Sequence, residues 1–483
     1  MPPRGYPRLR PGLRLDPHVP EPLARENAFR GAKPDHRAVP DFARARPLLP
    51  EPVWEGHADA VACWWKVWEL AFRNLRRPYP GSGFVAPYIA TAFNDHLFLW
   101  DSVFILMFAR YGRRAFDFQR TLDNLYASQH EDGFMVREIA ERDGTERFHR
   151  YDPGSTGPNV LAWSEWEYWL TTGDRRRLAA VFPVVGAYQR WWRAWRSWPD
   201  GGLWTSGWGA GLDNQPRQLD ARYPAWTHGH MTWVDATVQQ ALSASLLARM
   251  GRILGRRREA AEFAAEHRRL AALVNARLWH SRLGFYVDRF PDGRLSRLKS
   301  VVGFWALLAG LAPPARRRRL VAHLENPREF NRPHRVPALS ADHPRYSPGG
   351  DYWNGGVWPP TNYMVLRGLT ATGHDALAHA IGLNHVGRVA QVFKKTGTVF
   401  ENYAPERPAP GRPAKRDFVG WGGVGPVAVL LEYVFGLRPD VPRGELLWDV
   451  RLREEHGVHR YPFGRSGSLD LVCHARASLR EAP

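Results

Sequence analysis

Five loops of this sequence gather the residue types that do polar chemistry next to flat aromatic faces. FNDHLFLWDSVF (93–104) sets Trp100 beside Asp101, and ASQHEDGFMVREI (127–139) offers Gln129, Glu131 and Asp132 before a Gly turn. LWTSGWGAGLDNQPR (203–217) carries Asp213, Asn214 and Arg217 among Trp204 and Trp208. SPGGDYWNGGVWPPTNY (347–363) brings Asp351, Trp353, Trp358 and Asn362, and GTVFENYAPE (397–406) brings Glu401, Asn402 and Tyr403. An indole beside carboxylates and amides suits a sugar: the ring covers the apolar C–H face of a pyranose while the polar groups fix its hydroxyls. Breaking a glycosidic bond takes two carboxyl groups, one protonated to assist the leaving oxygen and one ionised. Asp213 and Glu401 are the pair expected here, because both lie in loops where Gly lets the backbone turn towards a ligand and both have aromatic neighbours that can raise a carboxyl pKa.

Each of these residues also has an ordinary structural reading. Asp213 suits a turn or cap, Trp100-Asp101 a helix start with a staple residue, and Glu401 an ion pair with one of many arginines. Trp64-Trp65 and Trp191-Trp192, at helical spacing, read as core between helices. His228 and His230 in WTHGHMTW (226–233) are two apart, the wrong spacing for two metal ligands on one helix face, and no metal site is expected. The sequence has no GxSxG elbow for serine chemistry. The convergence of five such loops is what exceeds chance.

The elements that must position these loops are helices. From about 54 to 437 apolar residues recur at three and four, in stretches such as 57–75, 101–112, 159–173, 175–195, 234–255, 260–279 and 375–397, and Gly often follows the last turn. About a dozen helices joined alternately by short turns (TGD, TGHD) and long aromatic loops predict an all-α (α/α)6 toroid with its long loops at one end. Residues 1–53, rich in Pro and Arg without a sustained period, read as an extended N-terminal arm. Residues 438–483 switch to period two at 445–452, 457–463 and 468–475 and read as a small β-appendage.

Composition excludes several alternatives. The chain has 483 residues, 44% hydrophobic, 13% aromatic, with 22 Trp, so it folds, and no apolar run reaches the roughly 18 residues of a membrane span. The first residues are Arg- and Pro-rich with no apolar stretch behind them, which leads us to expect a cytoplasmic protein. Cys63 and Cys473 stand alone, ruling out a disulfide framework. The formal charge of +19 first suggests nucleic acid, yet only six of 67 basic residues are Lys. That bias pervades the chain, and no zinc-finger, RNP or P-loop signature accompanies it, so no nucleic-acid partner is expected.

Taken in order, FLWDSVF, SQHEDG, TSGWGAGLDNQPR, VDATVQQAL, LWHSRLGFYVDRFPDG, YWNGGVWPPTNY and FENYAPE make residues 85–437 resemble the (α/α)6-barrel glycosidases of glycoside hydrolase family 63, the mannosylglycerate and glucosylglycerate hydrolases grouped with it, and more distantly trehalase. The resemblance implies an inverting exo-acting α-glycosidase on a small glucoside or mannoside, working without metal or organic cofactor. It puts the general acid at Asp213 and the general base at Glu401, with carboxyls ~6.5–9.5 Å apart. Asp101 is then expected to hold sugar hydroxyls, and Trp100, Gln129, Trp208, Asn214, Arg217, Trp353, Trp358 and Asn362 become substrate-binding candidates. The acid loop departs from the family pattern by extra residues between SG and DN. Two other classes fit an aromatic-lined α/α toroid: a sugar isomerase, epimerase or lyase, which would depend on His or Tyr, and a non-catalytic carbohydrate-binding protein.

Overall fold

The computed structural model describes residues 20–219 and 225–476; residues 1–19 of the expected arm lie outside them. Twelve helical segments dominate the described residues: α1 (Ala58–Arg73), α2 (Leu99–Ala109), α3 (Thr121–Ala127), α4 (Leu161–Thr172), α5 (Arg175–Trp195), α6 (Val234–Leu254), α7 (Arg257–Arg277), α8 (Trp305–Leu308), α9 (Pro314–Glu325), α10 (Pro359–Thr370), α11 (Asp375–Thr396) and α12 (Val424–Val434), the last wound with π geometry. The even-numbered segments pack in succession, α2 on α4, α4 on α6, α6 on α8, α8 on α10, α10 on α12, and α12 returns to α2. Odd-numbered helices flank them, with α5 and α7 against α6 and α11 against α10 and α12.

The sequence of each helix fits its station. LWDSVFILMFA (α2) and VGPVAVLLEYV (α12) are apolar all round and almost wholly buried, as a helix surrounded by other helices must be. α7 buries only Ala260, Phe263, Glu266, Leu270 and Val274, a single stripe at three- and four-residue spacing, and turns its arginines outward. The tight turns also follow from local chemistry. α4 stops at Gly173 in the left-handed region (φ 66°), and Asp174 then caps α5 by accepting from the Arg176 and Arg177 amides.

At the carboxyl ends of α2 and α12 the packing is polar. Glu432 accepts from Arg110 (2.6 Å), Tyr111 (2.8 Å) and Tyr363 (2.9 Å), joining α2, α10 and α12. Beyond this hub lies a three-stranded antiparallel sheet in the order β1 (Glu51–Trp54), β6 (His456–Phe463), β7 (Gly467–Cys473), beside a hairpin of β4 (Leu437–Asp440) and β5 (Glu445–Trp448). The three expected strands are present. The sheet is not purely carboxyl-terminal, however, because residues 51–54, read as the end of the arm, supply its first strand, with Val53 opposite Gly457. Gly457 cannot be replaced there, since a Cβ on it would lie 2.0 Å from the Leu471 carbonyl oxygen. The described part of the arm packs against the helices, with Leu23 and Leu49 buried and ion pairs Glu21–Arg190, Glu26–Arg256 and Asp35–Arg120 fastening it.

Candidate active site

At the amino ends of α2, α4, α6, α10 and α12 the segments leading into these helices surround a cavity of about 100 Å³. Asp101, in the first turn of α2, Asp213 and Glu401 all line it. Its walls are aromatic: Trp100, Trp208, Trp353 and Trp421 with Phe93 and Phe98. Gly157 and Pro158, just before α4, complete one side.

Each carboxyl is held by a definable local structure. The acid loop contains a one-turn helix, Gly207–Ala210, capped by the Ser206 hydroxyl, which accepts from the Gly209 amide (3.1 Å), and ended by Gly211 at φ 71°. This turn is where the extra residues between SG and DN go, and it carries Trp208 to the cavity wall. Gly211 lies so close to Trp100 that a Cβ would sit 3.0 Å from the indole Nε1, so only glycine allows the chain to turn there and deliver Asp213 two residues later. Glu401 is 4% exposed. Its carboxylate accepts from the Tyr352 hydroxyl (3.1 Å) and the Lys415 amide (3.1 Å), and its own carbonyl accepts from Trp421 Nε1 (2.7 Å). The third wall comes from β2 (His96–Phe98), antiparallel to β3 (Glu138–Ala140). His96 and Glu138 bond at 2.6 Å across this pair, which places Phe98 and the neighbouring Arg137 on the cavity.

Burial governs the electrostatics. Desolvation pushes Asp213 up to about 6; the Arg137 guanidinium opposes that shift and the Glu401 charge adds to it. Asp101 is pushed up to about 7 by the same burial, with the same opposing Arg137 and reinforcing Glu401. Burial also raises Glu401, while the Lys415 amide and the Tyr352 hydroxyl stabilise its ionised form. All three carboxyls are thus shifted upward by burial, and the Glu401 charge raises both aspartates further.

Among the expected site residues, the structure brings Trp100, Asp101, Trp208, Asp213, Trp353 and Glu401 onto one cavity. Two others stand directly behind it. Asn214 accepts from the Trp353 amide (2.9 Å) and donates to the Asp351 carbonyl (3.2 Å), tying the acid loop to the 347–358 loop. Trp358 lies flat against Trp353, ring centroids 3.7 Å apart and planes 4° from parallel. Three other expected residues do not line this cavity. Arg217 is fully buried between Asp235 and Asp288, with four hydrogen bonds of 2.7–2.8 Å. Gln129 donates to the Gly133 and Val184 carbonyls and accepts from Asn27. Asn362 donates to the Val336 carbonyl within α10's packing. All three satisfy buried backbone or charge, a role that a residue's type and spacing do not distinguish from ligand contact.

Sequence reasoning missed Phe93, Phe98, Arg137, Tyr352 and Trp421. Four of them sit inside the loops already singled out, one or a few residues from a named one. Trp421, in VGWGG, lies outside those loops, just before α12. No histidine lines the cavity among the described residues, and its one tyrosine, Tyr352, is bound to Glu401.

Residues 94–419 match the family described as the mannosylglycerate hydrolase MGH1-like glycoside hydrolase domain. A relative from Borreliella burgdorferi, an uncharacterized protein, is 23% identical over 76% of this chain and 77% of its own. A probable mannosyl-oligosaccharide glucosidase of Schizosaccharomyces pombe is 25% identical over 44% of this chain and 27% of its own length. Among solved structures, the family 63 mannosylglycerate hydrolase of Thermus thermophilus in complex with glucose superposes with a TM-score of 0.60 at 20% identity, covering 75% of this chain and 99% of the other. Neutral trehalase Nth1 of Saccharomyces cerevisiae gives 0.54 at 14% identity, covering 72% and 73%.

Proposed function

Since the chain belongs to the mannosylglycerate hydrolase MGH1-like family of glycoside hydrolases, we propose that it is an inverting, exo-acting α-glycosidase that cleaves a glucosyl or mannosyl unit from a small α-glycoside. The even-numbered helices are then the inner ring, and the odd-numbered ones the outer ring, of an (α/α)6 toroid spanning about 54–437. The arm before it and the strands after it are structural additions joined through β1.

The observation that carries this reading is the convergence of Asp101, Asp213 and Glu401 on one small cavity walled by tryptophan. Asp213, held protonated by burial, donates its proton to the glycosidic oxygen as the bond to the anomeric carbon breaks. Glu401, its lone pairs partly fixed by Tyr352 and Lys415, takes a proton from a water attacking the opposite face. The charge that develops on the ring is positive, and the carboxylates around it stabilise that charge in a water-poor site. Asp101 stands in the first turn of α2 on the same cavity, where its carboxyl exchanges hydrogen bonds with sugar hydroxyls as acceptor or, when protonated, as donor. The Trp100 indole N–H is buried against Gly211 and has no hydrogen-bond partner among the described residues. A volume near 100 Å³ is below the usual 300–1,000 Å³ of ligand pockets and suits a single terminal ring, hence exo action.

The test is substitution of each partner. Asp213→Asn and Glu401→Gln are each expected to lower kcat by about 10²–10⁴-fold or more with an unchanged circular dichroism spectrum. Substantial turnover by either variant would contradict the role given to that residue.

A further inference from the structure

Arg137 lines the carboxyl cavity and is joined to the segments that carry both of its aspartates. Its main chain is held on two sides: the amide donates to the Ser155 carbonyl (2.8 Å), and the carbonyl accepts from the Leu99 amide (2.8 Å). Leu99 is the first residue of α2, and the preceding Phe98 makes no side-chain cap. The first amides of a helix have no partner within it and need one from outside. Arg137, the residue before β3, supplies that partner, and Asp101 follows two residues into the helix.

The side chain reaches the acid loop. Nη1 donates to the Trp208 carbonyl (2.5 Å), which also accepts from the Gly211 amide (3.0 Å). That carbonyl closes the one-turn helix that ends at Gly211, so the guanidinium grips the turn where it stops, just ahead of Asp213. The guanidinium carbon lies 4.9 Å from the centre of the Phe148 ring and 5.6 Å from that of Trp208. These two rings meet edge to face at 5.7 Å, and the cation over them is held by their π-faces. Nη2 lies 3.6 Å from Glu138, whose other oxygen is bonded to His96. With 16% of the side chain exposed, the charge is only partly screened by water, and it opposes the upward shift of both Asp101 and Asp213.

We propose that Arg137 is a positioning residue for the acid: through the Trp208 and Leu99 contacts it fixes the Asp213 loop against the start of α2, and it supplies a positive charge that both aspartates face. This rests on the glycosidase reading and extends it. Two effects are then separable. Loss of the side chain frees the turn that delivers Asp213, and loss of the charge makes Asp213 harder to ionise, so the proton donor stays protonated to higher pH. Lysine keeps the charge and a donor but not the planar fork that lies over Phe148.

The test follows kcat/KM against pH on an α-glucoside or α-mannoside, together with NMR titration of the aspartate carboxyl carbons, in the parent, Arg137→Met and Arg137→Lys; Asp213→Asn assigns the Asp213 resonance. Arg137→Met is expected to lower kcat by at least about tenfold and to move the alkaline limb up by about one pH unit. The Asp213 midpoint, about 6 in the parent, is expected to rise with it. Arg137→Lys is expected to leave limb and midpoint close to the parent's and to recover part of kcat. Arg137→Gln, which keeps a donor without the charge, is expected to show the same upward movement and serves if the Met variant does not fold. A limb and midpoint unmoved in the uncharged variants overturn the proposal, as does an Arg137→Lys variant no better than Arg137→Met in either readout. Lost stability with an unchanged pH profile, the mark of a merely structural residue, overturns it too. The NMR midpoint does not depend on turnover: if it moves as expected while the parent hydrolyses no α-glucoside or α-mannoside, the failure belongs to the glycosidase reading alone.

Discussion

The role proposed for Asp213 requires it to remain protonated at a pH where a free aspartate is ionised, and burial favours this at a thermodynamic cost. Its native pKa of about 6 exceeds the roughly 3.9 of the unfolded chain, so between these values the native state binds more protons and stability falls as pH rises. Asn at this position stays neutral throughout. Asp213→Asn is therefore expected to match the parent in urea denaturation near pH 4 and to exceed it by about 1–3 kcal/mol above pH 7. A variant less stable at every pH would show that the carboxylate is a structural partner. The same shift sets the activity profile. The proposed mechanism requires Glu401 ionised and Asp213 protonated, so kcat/KM is expected to peak on the acid side of neutrality and to fall as pH rises above about 6. Because the three carboxyls interact, the limbs of that curve belong to the set and not to single residues.

At the scale of elements, the acid loop depends on two features. The first is Gly211, whose left-handed φ strains any other residue and whose contact with Trp100 would force the indole to shift if a Cβ were added. Gly211→Ala is expected to leave most of the fold intact while lowering kcat by at least about tenfold, because a displacement near 1 Å at a catalytic group has effects of that order or larger. The second is Arg217, which holds Asp235 at the start of α6 and Asp288 together. Arg217→Met leaves two buried carboxylates unpaired and is expected to cost about 3–5 kcal/mol in urea denaturation; an increase in KM without loss of stability would instead restore Arg217 to the substrate. These two residues also show how much was legible beforehand. Helices were readable because burial on one face or all round leaves a periodic trace, and the five loops were readable because Trp, Gly and carboxylates seldom cluster without reason. Whether Arg217 or Gln129 points to a ligand or to a buried partner depends on contacts with residues such as Asp288 and Val184, 71 and 55 positions away, which no local pattern encodes. Arg137 and Tyr352 were missed for the converse reason: their types are common, and only the closing of the ring of segments brings them to the carboxyls.

For the whole molecule, the charge of +19 is widely distributed in specific pairs. Arg120, Arg190 and Arg256 bind the acidic residues of the arm, and Arg177 bridges Glu165 of α4 to Asp123 of α3. The arm thereby covers helices that would otherwise expose apolar surface. Deleting residues 1–50 removes Leu23 and Leu49, at 2% and 0% exposure. It is expected to lower Tm by about 5 °C, from roughly 2–3 kcal/mol for each buried leucine together with the lost ion pairs. An unchanged melting curve would mean that the arm contributes no stability.

The proposed chemistry turns on a water, activated by Glu401, attacking the face opposite to the bond that Asp213 helps to break. The most direct measurement follows hydrolysis of an α-linked glucoside or mannoside by proton NMR from the first seconds, before the released sugar mutarotates. Inversion predicts that the β anomer of the released sugar appears first and decays to equilibrium. Initial release of the α anomer would contradict the mechanism and the roles given to both residues.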